Sequence, residues 1–237
     1  MEGKGAMSNL KSEVHSQSGE RLVEMFDLLL NSFGPQNWWP AETELEMMVG
    51  AVLTQNTNWK NVEKAIQNLK GKGLLSPDAL YPLPMNELAQ EIRPAGYFNI
   101  KAKRLKNLMQ FIMEQYEGDL SLFLKDGTQT LREGLLSVKG VGPETADSIL
   151  LYAACRPIFV IDTYTHRILS RHGMIEEEAS YYELQELFMD HLPDNPDLFG
   201  EFHALIVRAG KDYCRKNPLC SQCPLEKWGP NPPRCAR

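Results

Sequence analysis

Long apolar runs are missing from this 237-residue chain. No stretch approaches the roughly 20 apolar residues that a helix needs to cross a bilayer. The opening MEGKGAMSNLKSEVHSQSGE lacks the apolar centre of a signal peptide. A cytoplasmic protein without membrane partners is therefore expected. Alternation at period two is almost absent too, which argues against sheets. Only RPIFVID, residues 156–162, is rich enough in β-branched residues to suggest a strand, and one strand has nothing to pair with. Positive charge is not in excess: 25 Lys and Arg stand against 31 Asp and Glu, a net −6 that excludes a wholly basic nucleic-acid coat but not a local patch.

What is present reads with helical period. In GERLVEMFDLLLNSFG, Leu22, Met25, Phe26, Leu29 and Leu30 recur at three and four, with Gly34 as a stop. AETELEMMVGAVLTQN, NWKNVEKAIQNLKGKG, NIKAKRLKNLMQFIMEQYEG, SYYELQELFMDHLP and DLFGEFHALIVRAGKDYC follow the same pattern. Ser76 and Asn195 each precede a proline that can open a helix, the arrangement of an N-cap followed by Pro at the first helical position. The expected class is all-α. Residues 1–18 are set apart as a tail, disordered or not native to the protein, since Met7 offers a second start within it. Two basic clusters stand out, Lys101, Lys103, Arg104 and Lys106, then Arg208, Lys211, Arg215 and Lys216, each either a solvated helix face or a phosphate contact.

Residues 135–163, LLSVKGVGPETADSILLYAACRPIFVIDT, carry the densest signal. Two amphipathic helices meet at Gly140-Val141-Gly142-Pro143. The glycines permit positive φ and close backbone approach, and the amides at the start of the second helix suit an anion such as phosphate. An ordinary hairpin in a core would read the same way. Asp162 follows, as the N-cap of the next helix or as a working carboxylate. Cys155, on an apolar helix, is expected to be buried. Four of the five cysteines, Cys214, Cys220, Cys223 and Cys235, crowd at the C-terminus, a number and softness suited to an iron-sulfur cluster or to zinc.

Taken together, LLSVKGVGPETADSILLYAACRPIFVIDTYTHRI resembles the helix-hairpin-helix element and following acid of the endonuclease III superfamily of DNA glycosylases. LEMMVGAVLTQNTNWKNVEKAIQNL, AGYFNIKAKRLKNL and the cysteine-rich tail resemble three further elements of that family, in its order. Trp-Trp-Pro at 38–40 with Thr-Gln-Asn-Thr at 54–57 is similar to the 3-methyladenine glycosylase branch.

The resemblance implies a two-lobed fold with a cleft between the lobes. One lobe would span residues 44–159, with the hairpin at 130–155. The other would combine 19–43 with 160–237, including a cluster loop at 214–235. It implies that Asp162 is catalytic, that Lys139, Gly140, Val141 and Gly142 grip DNA phosphate, and that Gln55 fills the space left by an extruded nucleotide. The base pocket would involve Trp38, Trp39, Trp59 and Glu144. Family members that also nick the backbone carry a lysine where this chain has Glu144, so hydrolysis without lyase action is expected. The implied substrate is an alkylated purine in double-stranded DNA; oxidised pyrimidines or mispaired bases are the rival specificities, and a non-catalytic iron-sulfur DNA-binding protein the rival class. A [4Fe-4S] cluster on the four cysteines is implied, with zinc as the alternative, although the family spacing C-x6-C-x2-C-x5-C is here C-x5-C-x2-C-x11-C. A monomer is expected.

Overall fold

The computed structural model describes residues 10–230, and these form helices joined by short loops with no strand among them. They divide into two units. One holds the described residues up to Trp38 and those from Pro157 onward; the other is Trp39–Arg156.

The first unit opens with α1 (Leu10–Glu13) and α2 (Gln17–Phe33). Leu10 and Val14 are each 6% exposed, and Ser16 Oγ accepts from Gly19 N at 3.1 Å to cap α2. The expectation of a disordered tail through residue 18 is thus corrected for residues 10–18. Two apolar residues four apart are too few to register as a period, yet they suffice to dock one turn. Residues 1–9 lie outside the described residues.

The second unit is built around α3 (Glu44–Thr54), where every residue from Leu45 to Leu53 is buried. A helix apolar all round belongs at a centre, and α3 packs against α4 (Trp59–Gly71), α7 (Phe98–Tyr116) and α10 (Pro143–Tyr152). Between them run α5 (Pro77–Leu80), α6 (Met85–Glu91), α8 (Leu120–Lys125) and α9 (Thr128–Ser137). Ser76 caps α5 as its sequence suggested. The one charge buried in α3, Glu46, meets Lys70 Nζ at 2.8 Å. The hairpin helices α9 and α10 are pinned by Arg132 and the fully buried Asp147, joined through two bonds of 2.7 and 3.0 Å. Removing one partner would strand a buried charge at a cost of about 3–5 kcal/mol. Cys155 is exposed, with φ +51°. The expectation that it is buried fails because α10 ends at Tyr152, before the helix-breaking Pro157.

The chain then returns to the first unit. Residues 157–162 run extended, and Phe159, Val160 and Ile161 are buried. In place of a partner strand, the Gln185 amide donates to Phe159 O at 2.7 Å. α11 (Thr163–Arg171), α12 (Tyr181–Met189) and α13 (Pro196–Asp212) complete the unit, the last capped by Asn195. Their core is aromatic: Phe159 stacks on Phe188 with centroids 3.8 Å apart, and Phe199 and Phe202 meet Phe159 edge-on.

Candidate active site and nucleic-acid interface

Asp162 is the N-cap of α11. Its Oδ1 accepts from Thr165 N at 2.7 Å and from Thr165 Oγ1 at 2.9 Å. Its Oδ2 faces His203 Nε2 of α13 at 3.8 Å, and the side chain is only 10% exposed. Burial by itself would raise the carboxyl's pKa. The His203 contact and the two Thr165 bonds outweigh it and hold the group below the usual carboxylate range. The result is an ionised carboxylate with one oxygen committed to the helix and the other turned to the imidazole. His203 was invisible in the sequence, because a single histidine in an apolar helix signals nothing until its partner is known.

In the second unit, α9 and α10 form the hairpin. Gly140 takes φ +100°, whereas Gly142 is extended at φ −101°, so only the first glycine uses the left-handed freedom expected of both. Gly142 caps α10 without any side-chain hydrogen bond, and Pro143 occupies the first turn. Val141 is 6% exposed, so it offers an anion its backbone and not its side chain. Lys139 is exposed, and its carbonyl accepts from Asn107 Nδ2 at 2.7 Å.

Gln55, at the C-cap of α3, reaches this hairpin. Its Nε2 donates to Thr145 Oγ1 at 2.8 Å and to Gly140 O at 3.2 Å, and its Oε1 accepts from Arg104. The first basic cluster is therefore neither a plain solvated face nor a free row of cations. Lys101 is 1% exposed and donates to the carbonyls of Leu53 and Ala95, each at 2.8 Å. Lys106 ties to the carbonyls of Leu80 and Tyr81. Tyr97 opens α7 with φ +46° and 70% exposure. An aromatic residue held in the left-handed region costs about 1–3 kcal/mol. Helical period alone could not flag it.

Trp39 and Trp59 come together, edge to face with centroids 5.3 Å apart, and Tyr152 lies 5.5 Å from Trp39. Trp38 belongs to the other unit, where Lys211 Nζ stands 6.0 Å from its ring centroid. Glu144 is exposed in the first turn of α10.

Cys214, Cys220 and Cys223 line one cavity with Ile168, His172 and Leu225. Arg171 Nη1 lies 3.2 Å from Cys214 Sγ. Cys235 lies outside the described residues, and among the described residues no three His, Cys, Asp or Glu side chains are gathered closely enough to hold a metal ion. The long interval after Cys223 is occupied: Trp228, 2% exposed, donates to Arg21 O at 2.9 Å, and its carbonyl lies 2.7 Å from His172 Nδ1.

These features match known proteins. Residues 49–194 match the model of the HhH-GPD superfamily base excision DNA repair proteins. A Methanocaldococcus jannaschii protein provisionally named a DNA repair glycosylase is 50% identical over 210 residues, covering 88% of this chain and 96% of its own. Endonuclease III of Sulfolobus acidocaldarius is 31% identical over 76% of this chain and 79% of its own. The structure of the H. pylori 3-methyladenine DNA glycosylase bound to 1,N6-ethenoadenine superposes with a TM-score of 0.70 at 32% identity, over 83% of this chain and 98% of that one. An endonuclease III trapped covalently on DNA shares the fold, with a TM-score of 0.76 at 23% identity over 89% of this chain and 94% of that one. With the capped acid, the hairpin and the all-helical fold in place, the chain belongs to the HhH-GPD superfamily of base excision DNA repair proteins.

Proposed function

We propose that this protein is a monofunctional DNA glycosylase that removes alkylated purines, 3-methyladenine above all, from double-stranded DNA. The observation that carries this reading is Asp162, kept ionised with one oxygen spent on Thr165 and the other outside hydrogen-bond distance of His203. Cleavage of the bond between sugar C1′ and base nitrogen sends the electron pair to the leaving base and develops positive charge on the sugar. A carboxylate stabilises that charge and orients the water that adds to C1′, taking up the proton the water loses. A cationic alkylated purine departs neutral, so a single acid suffices.

Glu144 supports the restriction to hydrolysis, since a carboxylate cannot form the Schiff base that backbone cleavage requires. The substrate class is supported by the 32% identical glycosylase bound to an alkyl-adduct purine. The α10 start, without a side-chain cap, suits a backbone phosphate. Gln55 is the residue proposed to meet the orphaned partner base, and exposed Tyr97 can stack on a base beside it. Duplexes carrying defined lesions, scored for free base with and without alkali, test the reading. Release of 3-methyladenine with strand breaks only after alkali is expected; breaks without alkali, or a covalent adduct trapped by borohydride, would refute it.

Cys214, Cys220 and Cys223 are also proposed to hold a [4Fe-4S] cluster, with Cys235 as the fourth ligand. Four cysteines suit that donor set by number and softness, and Cys214, Cys220 and Cys223 line one cavity, although in this structure they are not gathered closely enough to hold a metal ion. Such a cluster ties down the loop whose exposed Arg215, Lys216 and Lys227 can meet phosphates. Measurement of about four iron and four sulfide per chain would bear this out, and zinc in their place would count against it.

A further inference from the structure

Arg104 carries a charge that the protein leaves unanswered. Among the described residues no carboxylate lies within 4.0 Å of it, and its guanidinium bonds the neutral Gln55 Oε1. Its stem fills the space where a side chain on residue 140 would stand, so the hairpin glycine and this arginine fit only each other. A second cation is close: Lys101, three residues earlier on α7, has its pKa lowered to about 8, chiefly by burial and then by the charge of Arg104. Asn107, three residues later, holds the hairpin carbonyl of Lys139 at 2.7 Å. One stripe of α7 thus supports both the Gln55 loop and the hairpin, with uncompensated positive charge at their junction.

We propose that Arg104 is a DNA-phosphate ligand whose engagement releases the amide oxygen of Gln55. In the free protein Gln55 is latched by Arg104, Thr145 and Gly140, which consume both ends of its amide. An amide so occupied has both N–H donors spent and one lone pair of Oε1 left for a partner base. A backbone phosphate offers Arg104 a charged, bidentate acceptor in place of a neutral amide oxygen, a bond roughly twice as strong. The exchange frees Gln55 Oε1 while Nε2 stays on Thr145 and Gly140, so the amide oxygen becomes fully available to a partner base only where Arg104 already holds DNA. The inference rests on the DNA-binding part of the proposed function and not on base release.

Binding to an undamaged fluorescent duplex, measured across a salt series, tests it. Replacing Arg104 by Gln keeps a donor for Gln55 but removes one phosphate contact, so the slope of log affinity against log salt should become shallower by about 0.9. Arg104→Lys should keep the wild-type slope. Gln55→Leu, with no latch to break, should keep the slope and bind undamaged duplex about 2–5-fold more tightly, and it reads the proposal even if Arg104→Gln folds poorly. An unchanged slope in folded Arg104→Gln, or an affinity of Gln55→Leu equal to or below wild type, overturns the proposal. If lesion duplexes yield no free base while the slope still falls, the phosphate exchange stands and the glycosylase reading fails.

Discussion

Two helix starts in this protein solve the same problem in opposite ways. Both α10 and α11 present unsatisfied amides and the positive end of a helix dipole. At α11 the chain supplies its own anion: Asp162 accepts two bonds from Thr165 and stays charged. At α10 it supplies no capping side chain: Gly142 and Pro143 begin the helix, the first-turn acid Glu144 is exposed, and a Cβ added to Gly142 would meet nothing within 4 Å. A filled terminus makes a preorganised carboxylate. A terminus without a side-chain cap, with room in front of it, leaves space for an outside anion. The contrast shows that helix-end physics does not dictate function; the residue placed at the cap does.

The comparison breaks most visibly at Asp162. Asp162→Asn keeps a capping oxygen, so melting temperature and duplex binding should hold. Base release, measured on methylated duplex, should fall about 10²–10⁴-fold because the charge is gone. The same depressed pKa sets the sign of the pH response. The stabilisation from Asp162 is complete above the unfolded carboxyl value of about 3.9 and is lost as pH falls through the lower folded value, so stability between pH 5 and 7 should not depend on this group.

A smaller effect sharpens the other side. Gly142→Asp would give α10 the side-chain cap it lacks and a second acid beside Glu144, in an extended backbone that any residue adopts. Thermal stability should rise by a few tenths of a kcal/mol, while duplex affinity at low salt should drop about tenfold through repulsion of phosphate; equal affinity would show that this terminus does not face the backbone. The smallest change expected comes from Lys211→Gln. Lys211 already stands near the Trp38 face, and a cationic purine on that indole would feel its charge. Removing it should tighten binding of the alkylated lesion by about 2–5-fold, read as a lower KM, in keeping with cation–π energies of about 0.5–1 kcal/mol.

Much of the fold was legible because it is local. The period of three and four, the caps at Ser76 and Asn195 and the stop at Gly34 each depend on neighbours within a turn, and all appear in the structure. The helix at residues 10–13 was missed for the opposite reason, since its two apolar residues acquire meaning only from the surface they cover. The basic run in α7 misled similarly. Lys101, Arg104 and Lys106 look like one charged patch in the sequence, yet the helix turns each to a different acceptor.

The site divides along the same line. The amino-acid sequence by itself determined an all-helical chain, a glycine-bearing hairpin, an acid placed to cap the helix after it, and the absence of an amine at position 144. Only the tertiary structure decided that His203, 41 positions further along, would stand against that acid, that Gln55 would be held by Arg104 and the hairpin, and that Trp228 would anchor the cysteine loop. The reason is physical: backbone periodicity and capping are satisfied within a few residues, whereas charge, burial and partner choice depend on distances that exist only once distant helices have packed.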